Sequence, residues 1–178
     1  MVESAIIAII AYLIGSINFS VILSRKMAGF DVREKGSGNA GTTNMLRSVG
    51  KKAAAITLVC DILKGVVAIL IAMLMNKIFK DSNGALLVQI AGVAVILGHT
   101  FPIFFKFKGG KGVATSLGVL IMSNWQIGLI CLVFALILII LTQMVSVGSI
   151  AAAVLYPVLT LFIPVSYTHL RAHETSQD

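Results

Sequence analysis

Long apolar runs separated by short polar breaks organise this chain. Apolar residues run from about Ser4 to Leu23, Ala53 to Met75, Ala85 to Phe101 and Val113 to Thr142. A helix crossing a bilayer needs about 20 apolar residues, so each of the first three runs reads as one span, the third stopped by Pro102. The fourth run is too long for one span. Ser123-Asn124-Trp125-Gln126 interrupts it with polar residues and an interfacial aromatic, the pattern of a turn at a membrane surface. It splits into a short fourth span, Val113–Met122, and a fifth, Ile127–Leu141; a sixth begins near Ser149 and ends about Pro164. The fourth span is only about 15 Å long at 1.5 Å per residue. It is either extended by its neighbours or a half-helix lining a cavity. The prediction is an all-α, polytopic membrane bundle of about six spans.

Composition agrees. The 178 residues are 58% hydrophobic and 12% charged, with mean hydropathy +1.00, too little charge to cover a soluble domain. The first span starts close to Met1 without a basic leader or a small-residue cleavage site, so a retained helix is expected rather than a signal peptide. Cys60 and Cys131 fall inside apolar runs and read as small buried hydrophobes, with no metal-ligand spacing around them. The net charge of +7 matters less than its placement. Arg25, Lys26, Arg33, Lys35, Arg47, Lys51 and Lys52 follow the first span, and Lys106, Lys108 and Lys111 follow the third; the intervening loop has only Lys77 and Lys80, beside Asp81. The positive-inside rule puts the N-terminus outside and both basic loops in the cytoplasm. For Arg25, Lys26, Lys51 and Lys52, fixing orientation is a sufficient role; Arg47 and Lys111 ask for more.

Those two loops are also where glycine concentrates: Gly36-Ser37-Gly38-Asn39-Ala40-Gly41-Thr42-Thr43-Asn44-Met45-Leu46-Arg47, and Lys108-Gly109-Gly110-Lys111-Gly112-Val113-Ala114-Thr115. Polar, glycine-dense backbone is costly beside a bilayer unless it lines a site. In the first loop, glycines permit close backbone approach, Ser37, Asn39, Thr43 and Asn44 offer donors, and Arg47 supplies a planar fork for phosphate. A helix starting near Ala40 would place Asn44 and Arg47 on one face and add free backbone N–H groups. In the second, Gly109, Gly110 and Gly112 precede a predicted helix and can form a nest of N–H groups with Lys111 as point charge. Walker spacing is absent, which disfavours nucleotide hydrolysis.

Three further features carry candidate chemistry. His99, at the cytoplasmic end of the third span, is either a base or phosphate ligand, or a satisfied helix-end histidine. Asp61 and Lys64, three apart and deep in the second span, read as a structural ion pair. Ser146 and Ser149 mark a third cytoplasmic turn that can lend hydroxyls to the site, with helix capping the default role for Ser149. The tail from Val165 through Tyr167, His169 and His173 to Thr175 turns abruptly polar and resembles the in-frame translation of a sequencing-library adapter. Residues 1–164 are therefore read as one membrane-embedded domain and 165–178 as a non-native tail, with His169 and His173 set aside.

The motifs Ser37-Gly38-Asn39-x-Gly41-x-Thr43-Asn44-x-x-Arg47, Asp61-x-x-Lys64-Gly65, Gly98-His99-x-Phe101-Pro102 and Phe107-Lys108-Gly109-Gly110-Lys111-Gly112-Val113-Ala114-Thr115 resemble those of the bacterial acyl-phosphate-dependent glycerol-3-phosphate acyltransferase family, over about residues 4–164. The resemblance implies transfer of an acyl group from acyl phosphate to the sn-1 hydroxyl of glycerol 3-phosphate at the inner membrane. The products are lysophosphatidate and phosphate, with no cofactor and no nucleic-acid partner. It implies that Ser37 and Arg47 are needed for activity and that Gly109–Gly112 form a glycerol-phosphate-binding loop. The family also carries a third cytoplasmic motif, with a His, an Asn and a Glu, that has no match here, so a domain incomplete at its C-terminus is expected. The bottom-up alternative is a small transporter or channel for phosphate-like anions, which calls for inverted repeats; the two loops instead share a side and show no internal similarity.

Overall fold

The computed structural model describes residues 2–79 and 84–163. Every regular element among them is helical: α1 (Val2–Gly15), α2 (Phe19–Ala28), α3 (Thr42–Ser48), α4 (Lys51–Phe79), α5 (Gly84–Thr100), α6 (Val113–Ser123), α7 (Trp125–Thr142) and α8 (Val145–Phe162), with 3₁₀ turns at Val32–Glu34 and Ile103–Phe105. Five apolar stretches are long enough to cross a bilayer: Val2–Ala28, Lys51–Phe79, Gly84–Phe105, Trp125–Thr142 and Val145–Phe162. α6, at 11 residues, is the short one anticipated from the sequence. The polar tail read as non-native, 165–178, lies outside the described residues.

The chain forms two compact units, residues 1–119 and 120–178. In the first, α1 and α4 pack on α5, and α2 and α3 pack on α4. The α1–α5 approach is backbone to backbone: a Cβ at Gly15 would strike the Val95 carbonyl, and one at Gly98 the Tyr12 carbonyl. Within a membrane, where burial offers no hydrophobic gain between helices, such small-residue contacts supply the packing. Gly65 of α4 and Gly118 of α6 repeat the device, against Thr115 and Ile62 respectively. A separate apolar cluster of Val21, Val32, Ala40, Met45, Ala53 and Ala54, with Phe105 packed against it, fastens the loop-bearing end of this unit. In the second unit α7 and α8 pair, with Gly148 set against Ala135 and Ile139.

Three expectations are corrected. The first apolar run is two helices, not one. α1 ends at Gly15, and Asn18 opens α2 as its N-cap, its Oδ1 accepting from Val21 N (3.3 Å) and from Ser20 Oγ (2.7 Å). The carbonyls freed by that break are not left bare, because Lys64 Nζ donates to those of Gly15 and Ile17, each at 3.0 Å. The helix of the first glycine-rich segment starts at Thr42 rather than near Ala40. The last span starts at Val145 with Met144 as N-cap, so Ser146 and Ser149 lie inside α8; the Ser149 hydroxyl donates back to the Ser146 carbonyl (3.1 Å) instead of capping.

Candidate active site

The first glycine-rich loop is folded around one side chain. Asn44, on α3 and 1% exposed, donates from Nδ2 to the carbonyls of Val32 (2.8 Å), Lys35 (3.1 Å) and Asn39 (3.0 Å). Its Oδ1 accepts from the Ser37 N–H (3.1 Å) and the Ser48 hydroxyl (3.3 Å). An amide has two donor hydrogens and one acceptor oxygen, so Asn44 has nothing left for a ligand. Expected as a substrate-binding donor, it instead shapes the loop. Gly36 and Gly38 adopt φ of 58° and 71°, the left-handed region that glycine enters without strain, and let the backbone curl over Asn44. Ser37 and Gly38 are left exposed on the outside of that curl, with Asn39 and Thr43 half-buried. Arg47 is exposed as well, while Asn44 three residues before it is buried, so the two do not act from one open face. Among the described residues the Arg47 side chain has no ion pair or hydrogen bond.

The second loop folds back onto the end of α5. The Gly109 N–H donates to the Thr100 carbonyl and the Gly110 N–H to that of His99, both at 3.1 Å. A Cβ at Gly109 would collide with the His99 carbonyl oxygen, and one at Gly110 with the His99 imidazole and the Ala40 carbonyl. Gly110 is therefore where the two glycine-rich segments meet, and only a residue without a side chain fits there. Lys108 and Lys111 are exposed on this loop, and Gly112 turns it into α6 at φ 77°.

Beneath the loops lies a buried polar chain. Asp61 and Lys64, 2% and 4% exposed, pair at 3.0 Å from Oδ1 to Nζ. The Gly15 and Ile17 carbonyls accept hydrogen bonds from the same ammonium, and the Asp61 carboxylate supplies its counter-charge. His99, 4% exposed, places Nδ1 3.5 Å from the same Asp61 oxygen. Its Nε2 lies on the side of Gly110. A helix break, an ion pair, an imidazole and the second glycine loop thus form one contiguous set.

The sequence reading missed Arg33, which it counted among the basic residues of the loop and gave no role of its own. Asp31 accepts from Arg33 Nε (2.9 Å) and Nη2 (2.7 Å) and from Arg25 Nη2 (2.9 Å). The Arg33 guanidinium, and Arg25 after it, hold the Asp31 carboxyl well below the usual carboxylate range despite its burial, and the Asp31 carboxylate raises Arg33 in return. Asp31 is one of only seven acidic residues in the chain and sits within its densest basic stretch, which was the available signal. Ser146 and Ser149 belong to the second unit, on α8.

The exposed set, Ser37, Arg47, Lys108 and Lys111, offers a hydroxyl and three cations around two glycine loops in contact with each other. Such a set is suited to an anionic, multiply hydrogen-bonding group such as a phosphoryl oxygen cluster.

Comparison with known proteins bears on that chemistry. A family model described as glycerol-3-phosphate acyltransferase matches residues 5–173. A glycerol-3-phosphate acyltransferase of Thermoanaerobacter pseudethanolicus is 49% identical over 152 residues, covering 85% of this chain and 73% of the relative. One of Bartonella quintana is 42% identical over 167 residues, covering 94% of this chain and 76% of the relative. Among solved structures, PlsY, an integral membrane glycerol 3-phosphate acyltransferase, is similar in its glycerol 3-phosphate form. The TM-score is 0.79 at 36% identity, over 91% of this chain and 78% of that one. Its lysophosphatidic acid form gives 0.77 at 33% identity, with the same coverage.

Proposed function

The chain belongs to the glycerol-3-phosphate acyltransferase family, and from that premise we propose that it moves an acyl group from acyl phosphate to the sn-1 hydroxyl of glycerol 3-phosphate. It is a multi-pass membrane acyltransferase acting on glycerol 3-phosphate. The finer assignments, an acyl phosphate donor and the bacterial inner membrane with both glycine-rich loops cytoplasmic, are part of this reading. The observation that carries it is the meeting of the two cation-bearing loops at Gly110 and Ala40, above His99. Two phosphate-bearing substrates require two anion-binding loops close enough for one to attack the other.

The donor is already an activated mixed anhydride, so the protein's task is positioning and charge stabilisation. The sn-1 oxygen attacks the acyl carbonyl carbon, the new ester C–O bond forms, and the C–O bond to phosphate breaks. Inorganic phosphate leaves with that bonding pair. Ser37, exposed beside the curled backbone, orients or polarises the reacting group; Arg47 and Lys111 hold phosphate oxygens, with Lys108, Gly38, Asn39, Thr43 and Gly109–Gly112 lining the approach. The hydroxyl proton passes to His99 Nε2 or to a substrate phosphate oxygen. The buried Asp61 lies 3.5 Å from His99 Nδ1, which leaves Nε2 as the nitrogen that meets the glycine loop and supports the first route. No Ser-His-Asp arrangement is involved, and attack is direct, without an acyl-enzyme.

The test is purified protein in lipid with acyl phosphate and labelled glycerol 3-phosphate, following lysophosphatidate. Product from acyl phosphate and none from acyl-coenzyme A is expected; the reverse pattern overturns the donor assignment. Trapping an acyl group on Ser37 would overturn direct attack. For the proton, His99→Gln should remove most of the rate while the folded protein is retained; turnover near that of wild type assigns the acceptor to a substrate phosphate oxygen.

A further inference from the structure

Arg33 differs from the exposed cations around the site in having almost no donor left to give. Its Nε and Nη2 are committed to Asp31, and Nη1 donates across the chain to the carbonyls of Phe105 (2.7 Å) and Lys108 (3.0 Å). The guanidinium also stands 5.9 Å over the Phe105 ring, which packs against the apolar cluster below. Between the two bonded carbonyls lie Lys106 and Phe107, both with left-handed backbone (φ 58° and 57°). Two consecutive non-glycine residues in that region cost on the order of 1–3 kcal/mol each and persist only when their surroundings over-determine them. The loop's backbone bonds, from Phe105 and Phe107 N–H to the Pro102 carbonyl, from Lys108 N–H to the Phe105 carbonyl and from Gly109 and Gly110 N–H to the Thr100 and His99 carbonyls, close the turn and hold it to α5 but do not tie it to the stretch that leads into the first glycine segment. Arg33 does.

We infer that Arg33, held rigid by Asp31, is the strap that fixes the Lys108–Gly112 loop against the first loop, and that it acts on the acylation reaction as a positioning residue without touching substrate. A planar fork saturated on one side by a carboxylate and on the other by two carbonyls cannot also bind phosphate. Releasing it lets the strained turn relax and loosens the Phe105–Lys108 stretch that leads into Gly109–Gly112. The inference rests on the proposed function only for its kinetic consequence, a loss of glycerol 3-phosphate affinity.

The experiment has two arms on full-length protein in lipid nanodiscs, with Arg33→Gln, Arg33→Lys and Asp31→Asn. Tryptic cleavage after Lys106 and Lys108, quantified by mass spectrometry, reads the strap directly and is independent of which donor the enzyme uses. Both Arg33 variants should be cut about tenfold faster than wild type there, as expected for a locally opened segment. In the kinetic arm the KM for glycerol 3-phosphate should rise about tenfold with kcat changed far less, the signature of lost ground-state positioning rather than lost folded protein. Arg33→Lys retains the charge but not the fork, so it should behave like Arg33→Gln. Recovery of wild-type KM in Arg33→Lys would make Arg33 a simple charge and overturn the inference. So would unchanged cleavage, or a fall in kcat at constant KM. Should Arg33→Gln not accumulate, Asp31→Asn, which leaves Arg33 in place but unanchored, must move both readouts in the same direction.

Discussion

Arg33 and Arg47 sit in the same basic stretch and belong to opposite regions of the site. Arg33 is part of its underside, where polar groups are used up on one another: Arg33 with Asp31 and two carbonyls, Asn44 with five backbone and hydroxyl partners, Lys64 with Asp61 and two carbonyls. Arg47 is part of its outer side with Ser37, Lys108 and Lys111, where side chains are exposed. The same residue types do two jobs, and saturation tells them apart. A buried polar group must be paired or it costs several kcal/mol, so the underside is scaffold. A cation with no partner among the described residues, next to glycine loops, is available for an anion that arrives from outside. Positive charge in a loop between spans is compatible with either job, which is why charge counting alone did not separate them.

The largest effect should come from breaking the underside. Asp61→Ala leaves Lys64 buried without its carboxylate and removes the neighbour of His99 Nδ1. Removing one member of a buried pair costs about 3–5 kcal/mol, so folded protein extracted from the membrane should fall sharply, and the thermal midpoint with it. A variant that folds normally but has lost turnover would move Asp61 from scaffold to chemistry. Next comes the outer side. Arg47→Ala should lower kcat/KM about a hundredfold, or ~2.7 kcal/mol, with the thermal midpoint unchanged; a loss of stability of similar size would show Arg47 to be scaffold after all. Between the regions, Asn44→Asp keeps both acceptor contacts and removes the donors to Val32, Lys35 and Asn39. It should destabilise by about 2 kcal/mol, the cost of orphaned buried carbonyls, and reduce activity only through the loss of folded protein.

Much of this was legible in the sequence, and the misses share a cause. Hydropathy located the spans because a bilayer demands long apolar stretches, and Ser123–Gln126 marked the α6–α7 turn because Asn124 is a good N-cap, its Oδ1 accepting from Ile127 N. The Asp61–Lys64 pairing followed from an i,i+3 spacing. What local pattern does not carry is contact across the chain. The break at Gly15–Asn18 is permitted by Lys64 from α4, and no propensity in the first apolar run announces it. Asn44 looked like a ligand donor because its partners, Val32, Lys35 and Asn39, are backbone groups brought round by the turn. Arg33 had no role of its own in the sequence reading because its two carbonyl acceptors are at Phe105 and Lys108. Glycine density did mark the meeting point at Gly110, but not that His99 and Ala40 are what it meets.

The smallest effect, and the sharpest separation of the two regions, is in acid. Asp31 is depressed below the ordinary carboxylate range by Arg33 and Arg25. In the unfolded chain it titrates near pH 4, so between that value and its lower folded one the unfolded state binds the extra proton. The stability Asp31 contributes is therefore complete above about pH 5 and is lost as pH falls through the acid range. Arg25 is more than half exposed, so solvent screens part of the effect, and about 1 kcal/mol is the expected size. Thermal unfolding of wild type and Asp31→Asn in matched nanodiscs at pH 7, 5 and 3 measures it. Wild type should lose the first part of that increment relative to the variant between pH 5 and 3, and tryptic access to Lys106, assayed on samples returned to neutral pH after brief acid exposure, should be back at its starting value once the strap re-forms. Among the described residues Arg47 has no carboxylate partner, so Arg47→Ala should show the same acid slope as wild type. Parallel slopes for wild type and Asp31→Asn would mean that Asp31 and Arg33 are held by packing rather than by charge, and the distinction between a saturated underside and an open outer side would then rest on hydrogen bonds alone.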